Sequence, residues 1–168
     1  MAPDDYSGMT AINVEPPKIA RELAANSGFL LARLGIGFKN RAFARVELEG
    51  LEPNYYGILA ILAEGDRETQ GTIAQALGLD PSRLANVLDT MEKRGLVARH
   101  RDPLDRRRHV VSITPEGGEV LDRLRALARA MADEFLAPLA PDDRETFHRL
   151  LLQLAAVHDP SCFVDDED

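Results

Sequence analysis

Five arginines fall within a stretch of ten residues in the second half of the chain, residues 99–108. Their charges repel one another unless an anion lies between them, and DNA phosphate is the obvious anion for clustered guanidinium groups. Asp102 and Asp105 lie in the same stretch, so a solvated loop that is partly neutralised by its own acids is the alternative. The five residues are Arg99, Arg101, Arg106, Arg107 and Arg108.

This arginine stretch has the pattern of a β-hairpin with a charged tip. Residues 99–101 are expected to end one strand, and residues 109–113 to form the other. Asp102 and Pro103 favour the turn, because proline fixes φ and cannot donate to the strand ladder.

The hairpin also contains two histidines. If Arg101 pairs with Arg108, His100 and His109 face each other across the strands. Two histidines among arginines make a poor cation site. We therefore predict no metal site and no cofactor.

The charge of the chain is unevenly distributed. The net charge of −8 would oppose DNA binding if it were spread evenly. Residues 83–109, however, contain eight basic and four acidic residues, a net charge of +4, and the rest of the chain carries −12. A basic patch on an acidic body is typical of a protein that binds double-stranded DNA with one face.

Two short helices precede the hairpin, and their spacing predicts a helix-turn-helix. The first covers residues 70–77, with Thr69 as its N-cap and Gly78 as its stop. The second covers residues 81–94 and is capped by Asp80.

In a helix-turn-helix the second helix carries residues that contact base edges. Arg83 can pair with guanine, Asn86 with adenine, and Ser82 with a base or a phosphate. The N-terminus of this helix also favours a phosphate. The alternative is that Ser82 and Asn86 only solvate the helix. The predicted DNA-binding residues are Ser82, Arg83, Asn86, Thr90, Arg106, Arg107 and Arg108.

Apolar periodicity predicts further helices on both sides of the helix-turn-helix. One long helix is expected from 18 to 46, weakened by glycines that each cost about 1 kcal/mol relative to alanine. A helix starts near Pro53, and two more begin at Pro115 and Pro141. The broad apolar faces of the first and the last two helices predict a platform that packs against a second copy.

The predicted fold is mainly α with a small β-hairpin wing, a winged helix-turn-helix domain on a helical dimerisation platform. The predicted regions are an N-terminal arm at 1–17, the helical dimerisation region at 18–47 and 115–158, the winged DNA-binding domain at 48–114 and an acidic tail at 159–168.

Several classes of protein are disfavoured. The apolar runs are too short for a membrane span, and no apolar signal-peptide region follows the start. Cys162 is the single cysteine, which suits a reducing cytoplasm. The sequence contains no glycine-rich phosphate loop, nucleophile elbow or catalytic metal motif, which argues against an enzyme.

The order of elements and three motifs resemble the MarR family of winged-helix regulators over about residues 18–158. The family pattern is LEKRGLV, then R and D-x-R, then LT-x-x-G. Met91 and Ile113 stand where leucines are usual, and both changes conserve volume. The matching segments are MEKRGLV at 91–97, RDPLDRR at 101–107 and SITPEG at 112–117.

This resemblance implies a homodimer with intertwined terminal helices that binds an inverted-repeat operator. Two recognition helices would enter successive major grooves and two wings the adjacent minor grooves. It also implies repression rather than activation, and an Asp105–Arg107 pair that braces the wing. Thiol sensing is not favoured, because Cys162 lies in the tail rather than near the first helix.

In the family, small organic ligands commonly bind between the first, second and fifth helices and the winged lobe. An aromatic or lipophilic acid is the expected effector. The alternative is that these aromatic residues belong to the core and that the arginine is solvated or paired. An effector-independent DNA-binding protein and a protein-interaction module remain alternative functions. The candidate effector residues are Phe29, Arg33, Phe38, Tyr55 and Tyr56.

Overall fold

The computed structural model describes residues 18–65, 68–102 and 109–159. In chain order these residues form α1 Arg21–Ala24, α2 Ser27–Leu48, α3 Tyr55–Glu64, α4 Gln70–Leu77, α5 Pro81–Lys93, β1 Val97–Arg101, β2 His109–Ile113, α6 Pro115–Leu136 and α7 Pro141–His158. The chain divides into two units between Gly37 and Phe38, within α2. The predicted mainly α fold with a β-hairpin wing is confirmed.

Some predictions fall outside the described residues. They concern the N-terminal arm, residues 160–168 of the acidic tail with Cys162, and the tip of the hairpin. The tip carries Asp105, Arg106, Arg107 and Arg108.

The prediction of one unbroken first helix is wrong. α1 ends at Ala24, and α2 begins at Ser27. The Asn26 side chain accepts a hydrogen bond from the Phe29 amide at 2.9 Å, so it caps the start of a new helix. α2 then continues through Gly35 and Gly37 without interruption.

The core of the second unit lies between α3, α4, α5, the sheet and the first half of α6. Along α5, apolar side chains recur every three or four residues and are buried, which fixes one face of this helix inward. Full burial of such a side chain contributes about 1.5–3 kcal/mol. The largest fully buried side chains are Tyr55, Ile58, Leu59, Ile73, Leu84, Leu88, Met91, Leu121, Val110 and Val111.

The predicted helix boundaries around the helix-turn-helix are confirmed to within one residue. Thr69 accepts from the Thr72 amide at 3.2 Å and caps α4. Gly78, with φ of 59°, ends α4 in the left-handed conformation that glycine adopts without strain. Thr114 caps α6 by accepting from the Gly117 amide at 3.0 Å.

The two strands are antiparallel, but their register differs from the predicted one. Arg101 lies opposite His109, and His100 lies opposite Val110. Because successive side chains point to opposite faces of a strand, the two histidines lie on opposite faces of the hairpin. The prediction that they face each other is wrong.

β2 has a partner on its other side as well. The Val111 amide donates to the Glu68 carbonyl oxygen at 2.8 Å, which forms an isolated antiparallel bridge. Val110 and Val111 are both 1% exposed, and Val111 belongs to the core. The bridge ties the segment before α4 to the wing.

Large apolar side chains are exposed on α2 and α7. Val157 is 74% exposed and Leu48 is 83% exposed. None of the α7 residues is buried. The others on these two helices are Leu30, Leu31, Leu34, Ile36, Phe147, Leu150, Leu152 and Leu154.

Candidate nucleic-acid interface

The outer face of α5 presents the residues that the sequence predicted for base contacts. Ser82, Arg83 and Asn86 are exposed. Thr90 follows on the same face, one turn after Asn86, and is half-buried. Its hydroxyl donates to the Asn86 carbonyl oxygen at 3.1 Å, so part of its hydrogen-bonding capacity is used within the helix.

The N-terminus of α5 is already capped by an anion. The Asp80 carboxylate accepts from the Ser82 amide at 2.9 Å and from the Arg83 amide at 3.1 Å. The carboxylate occupies two of the amides that a phosphate would use, and the phosphate contact at this N-terminus stays a prediction. The side chains of Ser82 and Arg83 remain exposed beside this cap.

The anions that pair with Arg99 belong to the protein. Its Nη1 donates to Asp89 at 2.5 Å and to Glu92 at 3.2 Å, and both carboxylates lie on α5. The charge of Arg99 is therefore offset within the protein, whereas the arginine stretch as a whole was expected to need an external anion. Arg99 instead joins β1 to the helix that carries the candidate base contacts.

Arg94 is also engaged within the domain. Its Nη1 donates to the Gly50 carbonyl oxygen at 3.0 Å, and its guanidinium carbon lies 5.6 Å from the centre of the Tyr55 ring. The basic window at 83–109 therefore includes arginines with structural roles. Fewer of its charges are available to DNA than the sequence indicated.

An open cleft of about 460 Å³ lies where the wing meets α4. Arg99 and His109 line its hairpin side, and Gln70 lines its α4 side. The other lining residues are Thr69, Gly71, Val110 and Val111.

Comparisons with known proteins give the chain a family. The sequence model of the MarR family matches residues 49–108. A protein of Thauera aromatica, named as a transcriptional regulatory protein for the hcr operon, is 32% identical over 133 residues, which are 79% of this chain and 80% of the relative. The chain belongs to the MarR family. Members of this family are DNA-binding transcriptional regulators.

Two solved structures of another regulator share the fold. CouR from Rhodococcus jostii RHA1, bound to p-coumaroyl-CoA, is 30% identical with a TM-score of 0.68, over 87% of this chain and all of CouR. The transcriptional repressor CouR bound to a 23-mer DNA duplex aligns at 28% identity and a TM-score of 0.71, over 83% of this chain and 99% of CouR. Both support the assignment of this chain as a winged-helix MarR-family protein.

The candidate effector residues lie in different environments. Phe29 and Arg33 belong to the first unit, where Phe29 is half-buried and Arg33 is exposed. Phe38, Tyr55 and Tyr56 belong to the second. Tyr55 is fully buried in the core, whereas Tyr56 is 39% exposed.

A cleft of about 260 Å³ between α2 and α6 includes one of these candidates, Phe38. The ring of Phe38 meets that of Phe135 edge to face, with their centres 5.1 Å apart. Arg41 and Arg45, one helical turn apart, line the same cleft. The remaining lining residues are Ala44, Leu48, Met131 and Glu134.

The sequence did not identify Arg41 and Arg45 as residues that line this cleft, nor the ion pairs that Arg99 makes with Asp89 and Glu92. The spacing of Arg41 and Arg45 was visible, because residues four apart share a helix face. The two acids of α5 facing the start of the hairpin were also a signal for Arg99.

A membrane-spanning helix and a metal-binding cluster are both absent from the residues that the structure describes. Within 18–65, 68–102 and 109–159, no helix is long and apolar enough to cross a membrane. The same ranges contain no group of three His, Cys, Asp or Glu side chains placed to hold a metal ion.

Proposed function

We propose that this MarR-family regulator is a homodimeric repressor that binds an inverted-repeat operator and is released by a small aromatic or lipophilic acid. The observation that carries the proposal is the recognition helix α5. One face of it is buried in the core, and the opposite face presents Ser82, Arg83 and Asn86 to solvent. The side-chain chemistry of this face suits guanine and adenine edges in a major groove.

The dimer is supported by the apolar residues that α2 and α7 leave exposed. Monomeric proteins rarely expose large contiguous apolar patches. A second copy that covers these helices would form an interface of the obligate class, about 2,000 Å² or more. A two-fold dimer would hold its two copies of α5 about one helical turn of DNA apart, which matches an inverted repeat.

The effector class is supported by the cleft between α2 and α6. Phe38 and Phe135 offer ring edges and faces to an aromatic group, and Arg41 and Arg45 offer guanidinium groups to a carboxylate. CouR, a relative with the same fold, was solved with p-coumaroyl-CoA, the thioester of an aromatic acid. Tyr56, in the same unit, remains a candidate for this ligand.

The test begins with selection of duplexes from a random pool by the full chain. An inverted repeat should be enriched, and its affinity should fall steeply with salt because phosphate contacts release counterions. A pool with no enriched sequence would support a protein-interaction module or a sequence-blind DNA-binding protein instead.

The effector is tested with p-coumarate and p-coumaroyl-CoA as probes. If either releases the operator, a coupling of about 1–3 kcal/mol should weaken DNA binding roughly 5–150-fold. Linkage then requires operator DNA to weaken ligand binding by the same factor. Equal ligand affinities with and without operator would show that the compound does not switch the protein.

A further inference from the structure

The side chain of Arg99 has an acceptor for every one of its donors. A guanidinium carries five N–H groups. Nη1 donates to Asp89 and Glu92, and Nη2 donates to the Ala85 carbonyl oxygen at 3.3 Å. Swapping the oxygen and nitrogen of the Gln70 amide, which satisfies both groups, supplies an acceptor for the remaining donors, with Nη2 at 2.9 Å and Nε at 3.3 Å.

These contacts join three elements of the reading head. Asp89, Glu92 and Ala85 lie on α5, Gln70 begins α4, and Arg99 lies on β1. The Arg99 backbone amide also donates to Glu92 at 3.3 Å, so Glu92 is held by the backbone and the side chain of the same residue. The side chain of Arg99 is 23% exposed, less than those of Asp89 and Glu92 at 52% and 42%.

We propose that Arg99 is a specificity-determining positioning residue, which holds the recognition helix α5 at a fixed angle to the wing through Asp89 and Glu92 and does not itself bind DNA phosphate. The proposal rests on the proposed function, in which α5 contacts base edges. Base contacts depend on the orientation of the helix in the groove, whereas phosphate contacts elsewhere tolerate a small rotation.

The proposal separates Arg99 from a phosphate-binding arginine. Loss of a phosphate contact weakens all duplexes alike and reduces the salt slope by about one. Loss of a positioning contact lowers affinity for the operator and leaves affinity for random duplex almost unchanged. Lysine also distinguishes the two roles, because an ammonium group binds phosphate but cannot reproduce a planar fork with five donors.

The experiment measures operator and random-duplex affinity for the full chain and for Arg99→Lys and Arg99→Gln. We expect both variants to lose operator affinity by about tenfold, the size of one lost base contact, while random-duplex affinity changes by less than about threefold. Arg125→Lys is the matched control, because Arg125 pairs with Asp122 at 3.1 Å on the surface of α6. It should change neither affinity.

A double-mutant cycle, in which Arg99→Gln is combined with Asp89→Asn/Glu92→Gln, tests whether Arg99 acts through these two carboxylates. In that background Arg99→Gln should cost about threefold or less, because its partners are already weakened. An equal loss in both backgrounds, or a parallel loss on random duplex with a flatter salt slope, would overturn the proposal and make Arg99 a phosphate contact.

Two further outcomes can be distinguished from loss of the positioning contact. Thermal melting of each variant identifies general unfolding, which would lower binding to both duplexes and contradict the proposal. If the native chain bound every duplex alike, the proposed function would be wrong, and the inference would fall with it.

Discussion

The backbone carbonyl oxygen of Leu96 lies directly against Gly117, in the space that a side chain at this position would occupy. The same oxygen accepts a hydrogen bond from the Thr114 amide at 3.2 Å. Gly117 is buried where α6 begins. A glycine is therefore required for α6 to start against the segment that links α5 to β1.

Gly117→Ala should destabilise the protein by about 1–3 kcal/mol, because its methyl group would displace backbone rather than a flexible side chain. Chemical denaturation measures the change. Gly118→Ala is the control, since none of the described residues lies within 4 Å of the position that its methyl group would take. Alanine at 118 should stabilise the helix by about 0.5–1 kcal/mol. Equal effects at the two positions would contradict the close approach of Leu96.

Tyr55→Phe should leave stability unchanged or raise it by about 1 kcal/mol, because a buried hydroxyl without a partner costs free energy. The Tyr55 hydroxyl is buried and makes no hydrogen bond of ordinary geometry with the residues that the structure describes, and the Arg94 guanidinium beside its ring is the group that could supply one. Tyr56→Phe, on an exposed ring, is the control and should change stability by less than about 0.5 kcal/mol. A clear loss of stability in Tyr55→Phe would show that the hydroxyl has a stabilising partner.

Alkaline pH should destabilise the native chain through the same residue. Burial raises the pKa of Tyr55, and the nearby Arg94 only partly offsets this. The folded protein therefore holds the phenol proton more tightly than the unfolded chain. Stability is full below the unfolded pKa of about 10 and falls as pH rises above it. Denaturation from pH 8 upward should show a shallower fall for Tyr55→Phe than for the native chain.

Asn86→Ala and Arg106→Ala should affect DNA binding in different ways. Asn86→Ala should remove about 1–3 kcal/mol of discrimination at one base pair. Arg106→Ala should weaken operator and random duplex alike and reduce the salt slope by about one. Titrations at several salt concentrations separate the two. Equal losses of specificity would contradict this division between recognition helix and wing.

Leu154→Glu should convert the proposed dimer to a monomer and abolish tight operator binding, because the charge would lie within the apolar stripe of α7. Leu154→Ala is the control, since it shortens the same side chain without adding a charge to the stripe. Sedimentation at micromolar concentration measures the oligomeric state of each variant. A native chain that sediments as a monomer would exclude the proposed assembly.

Local signals predicted much of the winged domain. Thr69 and Asp80 are helix N-caps in the structure, and Gly78 has a positive φ. Capping and left-handed turns depend on one residue and its close neighbours, so they are visible in a sequence. The apolar face of α6 was predicted from helical periodicity, which is also visible in a sequence.

Features that depend on distant pairings were not predicted correctly. Hairpin register is set by the turn, and Asp102 with Pro103 does not identify a turn type. The pairing of Arg99 with Asp89 and Glu92 requires the position of β1 against α5, which periodicity does not give. The break before α2 was a different error, since Asn26 is a local cap that the apolar pattern concealed.

The Thr114 hydroxyl links two helices through a single atom, since it accepts from the Gly117 amide and donates to the Gly95 carbonyl oxygen at 2.6 Å. The start of α6 is therefore attached to the residues that follow α5. Its 22 residues extend about 33 Å from that attachment to the cleft beside Phe135. A ligand in the cleft would thus contact a helix whose other end is fixed beside α5.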